Sequence, residues 1–240
     1  MRFAPAAGSR WLVDAVAVNG SPDGSMGVSM RLVWEVESVD EGVVTVREEI
    51  RCASAVPHVR SPDGQVWRYR FDGSWGQAAA PESVESGDRM RRMVQLLLPE
   101  LREAAPELAF AEGPRAPGET WERHETRERT TTMWVQPLTL ATTYTMVERD
   151  AETALVHYEG TMGPDEITLV GNPFHLEGRR FGVFRARVDD GMLACADLQE
   201  EGDLNRDSHD WTRRITLRVE PLEGEAPGCE TARPIPPCAP

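Results

Sequence analysis

Lysine is missing from this 240-residue chain, and all 26 basic residues are arginine. That bias reads as the mark of a GC-rich bacterial genome rather than as a functional device. Also absent is any run of about twenty apolar residues, so nothing reads as a membrane-spanning helix. No Cys-x-x-Cys pair occurs, which removes a zinc ribbon and a thioredoxin-type redox centre. Gly-x-Ser-x-Gly, Gly-x-Gly-x-x-Gly, the phosphate-cradling loop and a Cys with a neighbouring His are missing too. With them go the usual signals of nucleophilic catalysis and nucleotide binding. A basic face is lacking: the net charge is −14 and no arginine cluster is long, which argues against a nucleic-acid partner. Asp189-Asp190 and Glu48-Glu49 read as neighbours within strands, so each pair points to opposite faces and cannot flank one substrate. No catalytic residue, cofactor or cofactor-binding residue emerges, and the chain reads as a non-enzyme.

What is present is an ordinary globular composition, 40% hydrophobic and 28% charged, long enough for one domain or two small ones. One stretch, 86–98, predicts an amphipathic helix. Met90, Met93, Val94, Leu97, Leu98 and Leu101 recur at the 3.6-residue period, while Arg89, Arg91, Arg92 and Gln95 take the other face. Ser86 suits the N-cap and Pro99 ends the helix. Nearly everything else alternates with a period of two. Trp11 to Val18, Met30 to Val36, Val44 to Cys52 and Gln65 to Phe71 read as strands. Asn19-Gly20, Asp40-Glu41-Gly42 and two Ser-Pro-Asp-Gly sequences supply the turns. Val44, Val46, Glu48, Ile50 and Cys52 fall on one face of their strand.

The pattern then starts again. Pro117-Gly118-Glu119-Thr120-Trp121 echoes Ala7-Gly8-Ser9-Arg10-Trp11, and Tyr144, Asp150 and Val156 stand 110 positions after Trp34, Asp40 and Val46. Further on, Val188 to Gly191 fits Arg70 to Gly73 only at a spacing of 118. This predicts a duplicated β-meander. Two extra strands, Met192 to Leu198 and Arg214 to Val219, follow in the second copy, joined by a loop over 202–210. The expected organisation is a first repeat over 1–80, a helix and connector over 81–116, a second repeat over 117–222 and a Pro-rich tail over 223–240. The expected fold class is mostly β (α+β), with antiparallel meander sheets from two tandem repeats curved around the one helix and burying its apolar stripe.

The four cysteines leave three connectivities open. Cys229 and Cys238 lie in the tail, where a bridge closing the small loop would order it. Cys52 and Cys195 lie in strand-like segments and either pair or stay as separate buried thiols. Exposed free thiols in a Pro-rich tail would be a liability, so an oxidising, extracytoplasmic home is expected, periplasmic or outer-surface. Met1-Arg2-Phe3-Ala4-Pro5 passes straight into strand-like sequence without a signal peptide. The alternatives are a cytosolic chain, or one whose targeting segment, with or without a lipid anchor, was removed.

Site candidates are few. Asp203, Asn205 and Asp207 place oxygen ligands at alternate positions, like the start of an EF-hand loop. Ser208 stands where that loop needs Gly and Arg214 where it needs a bidentate Glu, so an acidic hairpin tip is the plainer reading of this weak calcium candidate. His124 shares a strand face with Glu122 and Thr126, and neither it nor His58, His157 or His175 has a partner that the sequence names. The faces carrying Trp11, Met30, Leu32, Trp34, Tyr144 and Met146, with Met90, Met93 and Leu97 of the helix, form the candidate apolar cleft. A filled core is the plainer reading of the same residues.

Phe3-Ala4-Pro5-Ala6-Ala7-Gly8-Ser9-Arg10-Trp11 and the second start at Pro117 to Trp121 carry a resemblance. Over roughly residues 2–222 the chain resembles a poorly characterised family of bacterial secreted proteins and lipoproteins whose mature chain opens on such a strand and repeats a Pro-Gly-[Glu/Asp]-[Thr/Ser]-Trp start halfway along. The resemblance implies an envelope location and transfers no catalytic residue. More loosely, the arrangement is similar to lipoprotein-carrier and lipoprotein-receptor half-barrels, in which a half-open antiparallel barrel wraps a helix and shelters an acyl chain. The expected function is a non-catalytic cell-envelope protein that binds an acyl chain, another apolar ligand or another envelope protein in a sheet–helix cleft. The rival is a structural or protein-interaction module with a filled core.

Overall fold

The computed structural model describes residues 5–21, 24–41, 43–55, 66–72, 115–130, 135–169, 172–204, 210–227 and 235–238. Among them are ten strands. The first four are β1 (Arg10–Ser21), β2 (Gly24–Asp40), β3 (Val43–Ala55) and β4 (Val66–Asp72). The rest are β5 (Thr120–Thr130), β6 (Val135–Arg149), β7 (Thr153–Leu169), β8 (Asn172–Arg187), β9 (Leu193–Leu204) and β10 (Asp210–Pro221). No helix occurs among the described residues, and none there is long and apolar enough to cross a membrane. The expected helix at 86–98, with Met90, Met93 and Leu97, lies outside the described residues.

All ten strands belong to one antiparallel sheet in the order β4-β3-β2-β1-β10-β9-β8-β7-β6-β5. Each meander is a chain of neighbouring hairpins, and the two are fused where the first strand meets the last. There Trp11 pairs with Pro221 and the ladder runs without a bulge to Gly20 opposite Thr212. One continuous sheet results, rather than two abutting ones.

The starts of β1 and β5 are built alike. Ser9 N–H donates to Ala6 C=O and Glu119 N–H to Ala116 C=O, both at 3.1 Å. Gly8 and Gly118 hold φ of 81° and 86° at the third turn position, the geometry of a type II turn, which Pro117 suits from the position before. Each turn then locks to the next strand, Gly8 N–H to Val36 C=O and Gly118 N–H to Met146 C=O, both at 2.8 Å. A bulge follows in each ladder, between Val36 and Ser38 and between Met146 and Glu148. Farther along the spacing changes. Thr153 pairs with Arg187 as Val43 pairs with Asp72, so the fourth strands are offset by 115, and the 118 suggested by Val188 to Gly191 is corrected.

Alternation divides the sheet into two faces. One is almost wholly apolar: Trp11, Val13, Ala15 and Ala17 of β1 meet Trp34, Leu32, Met30 and Val28 of β2 in register. On the other side of β1, Val219, Leu217 and Ile215 of β10 continue the same face. A single cluster of buried apolar side chains extends along it from Val44, Val46 and Ile50 of β3 to Tyr144 and Met146 of β6. A bulge between Arg31 and Leu32 changes the phase of β3. Ile50 pairs with Leu32 on the apolar face, but Cys52 pairs with Arg31 on the opposite one, which corrects the placement of Cys52 beside Ile50.

Two other expectations are corrected. Asp189 and Asp190 are not strand neighbours. They sit in the β8–β9 turn, where Asp190 Oδ1 accepts the Met192 N–H at 2.8 Å and Gly191 takes φ 70°. The disulfide joins Cys195 of β9 to Cys238, Cα–Cα 5.4 Å, and not Cys229 to Cys238 within the tail or Cys52 to Cys195. The tail therefore closes back on the sheet. Cys195 lies opposite Arg185 and Arg218, on the face away from the apolar cluster.

Candidate functional site

The sequence-selected cleft residues that lie among the described ones share a face, while Met90, Met93 and Leu97 lie outside the described residues. Trp11, Leu32, Trp34, Tyr144 and Met146 all belong to the one apolar cluster, none more than 8% exposed, with Met30 among them. What strand phase hides is that four charged residues stand in apolar positions on the same face: Glu48, Arg180, Glu200 and Arg213.

Glu48 alternates with Val46 and Ile50, pairs across the ladder with Trp34, and is 1% exposed. Its Oε2 accepts the Trp34 indole N–H at 2.7 Å, which offsets part of the cost of burying a carboxylate. At the matching place in the second meander the pair is Tyr144 opposite Tyr158. There the rings form a ladder. Trp121 stacks on Tyr144 with centroids 5.4 Å apart, and Tyr144 meets Tyr158 at 6.1 Å, tilted by 37°. Opposite Tyr158 is Gly182, whose Cβ, if it had one, would meet the Asp197 carbonyl at 2.1 Å and the Tyr158 ring at 3.0 Å. The tyrosine covers the backbone that the glycine leaves bare.

The remaining three charges form a row across neighbouring strands. Arg213 of β10 lies opposite Glu200 of β9, which lies opposite Arg180 of β8, followed by Gly160 of β7 and Thr142 of β6. Arg213 Nη1 is 3.1 Å from Glu200 Oε2, and the Arg180 guanidinium sits 5.3 Å from the Tyr158 ring centroid. The two arginines are 6% and 3% exposed. Burial pushes the Tyr158 phenol far above its ordinary value, an effect the Arg180 charge moderates, so the hydroxyl stays protonated in the working range. On one side of the row lie Leu198, Ile215 and Tyr158 of the main cluster. On the other is a second apolar cluster of Leu140, Met162 and Leu176, with Trp211 packed against it. The Trp211 indole nitrogen is buried and has no hydrogen-bond acceptor among the described residues.

The other candidates are scattered. His124 is exposed on β5, 3.6 Å from Glu122, and His175 stands 3.6 Å from Glu177. Asp203 lies at the end of β9 opposite Asp210, while Asn205, Asp207, His58 and Cys229 lie outside the described residues. Among the described residues no group of three or more His, Cys, Asp or Glu is placed to hold a metal. The charged row had a readable signal: Arg180 alternates with Gly182, Phe184 and Ala186, Glu200 with Leu198 and Ala196, and Arg213 with Ile215 and Leu217. A charge in apolar phase on three successive strands is that signal.

Fold and site together define a single-sheet antiparallel β protein with a charged row set into its apolar face. No family model and no curated protein sequence matches the chain. Among solved structures it is similar to one described as "Lipid-protein interactions in lipovitellin", with a TM-score of 0.47 and 12% identity. The match covers 95% of this chain and 26% of that one, so the chain spans about a quarter of the length of that protein.

Proposed function

We propose that the chain is a non-catalytic, extracytoplasmic protein that shelters an acyl chain or a similar apolar ligand against the apolar face of its sheet. The observation that carries this reading is the face itself. It gathers large apolar side chains from β3 through β6 into one cluster, and every described strand belongs to the one sheet, so no second β layer packs on it among the described residues. The matching turns, bulges and aromatic pairs at a spacing of 110 support descent of the two meanders from one duplicated unit. The sequence pattern at 86–98 predicts a helix whose stripe of Met90, Met93 and Leu97 suits an apolar face. The Cys195–Cys238 bridge supports an oxidising compartment, such as the bacterial envelope, with or without a lipid anchor ahead of the described chain.

A second reading has its own observation. Tyr144, Tyr158, Leu32 and Phe184 are all less than 2% exposed or close to it, as in a filled core, which favours a structural or protein-interaction module. Native mass spectrometry after gentle purification, with lipid extraction in parallel, separates the two. A retained acyl lipid, or stoichiometric uptake of added palmitate, is the expected result. A bare polypeptide mass that takes up no palmitate overturns the acyl reading in favour of the module.

A further inference from the structure

We draw no further inference here: the strongest candidate, the buried Trp211 indole N–H near the Arg213–Glu200–Arg180 row on the apolar face of the sheet, stands on a face that is already buried, and nothing in the structure shows what covers it.

Discussion

Asp150 and Asp190 show how one residue type carries opposite pH linkages a few positions apart from their partners. Asp150 accepts N–H bonds from Thr153 at 2.7 Å and Glu152 at 2.8 Å, and these hold its carboxyl below the ordinary range. Its folded pKa is depressed, so its contribution is present at neutral pH and is lost as the pH falls through that lowered pKa. Asp190 is raised instead, first by burial, against the opposing Met192 N–H bond, with Asp189 adding repulsion. Its ionised form costs stability above the raised pKa, and the cost vanishes below the unfolded pKa. Asp190→Asn, which keeps an acceptor for Met192, should therefore raise the melting temperature at pH 7, with a gain that shrinks toward pH 4. Asp150→Asn should lower it at pH 7. Thermal melts down to about pH 4 for Asp190 and on to about pH 2 for Asp150 check both signs, and a pH-independent effect at either site over its own range contradicts the assignment.

At the scale of the element, the turns and the close approaches make different demands on glycine. Gly118 needs only its positive φ, since no atom lies within 4 Å of where a Cβ would stand. Gly118→Ala should cost about 1 kcal/mol, the strain of a left-handed residue. Gly182→Ala meets a carbonyl oxygen at 2.1 Å and must push β9 away, so its urea midpoint should fall further than that of Gly118→Ala. An equal or smaller fall at Gly182 would show that the sheet gives way there easily. These local features were the legible part of the fold. Gly-x-x-Trp, the turn Asp residues and period-two alternation are written within a few residues of where they act, and alternation grouped Trp11, Trp34, Tyr144 and Met146 as candidates for one apolar face. The bulge that turns Cys52 outward, the strand β8 and the β1–β10 seam depend on partners distant in sequence. No local pattern records them. The charged row was legible only in part: each member stands in apolar phase on its own strand, but it takes the ladders to align the three.

The whole molecule is held by long-range closures. Leu222 N–H reaches Arg10 C=O at 2.9 Å beyond the β1–β10 seam, and the Cys195–Cys238 bridge then ties the end of the chain to β9 across 43 positions. A loop of that length removes about 4 kcal/mol of unfolded-state entropy in the chain-entropy picture. Cys238→Ser should lower stability by up to that amount while the far-ultraviolet β signal persists, since Cys195 lies on the face away from the apolar cluster. Loss of the sheet signal would mean that the tail nucleates the fold instead. The ligand claim is tested most directly by methionine methyl spectra of protein carrying carbon-13 at the ε-methyls, titrated with palmitate. Met30 and Met146 lie on the apolar face, and their resonances should move together with one saturating stoichiometry. Both signals unmoved at palmitate excess would contradict a ligand on that face.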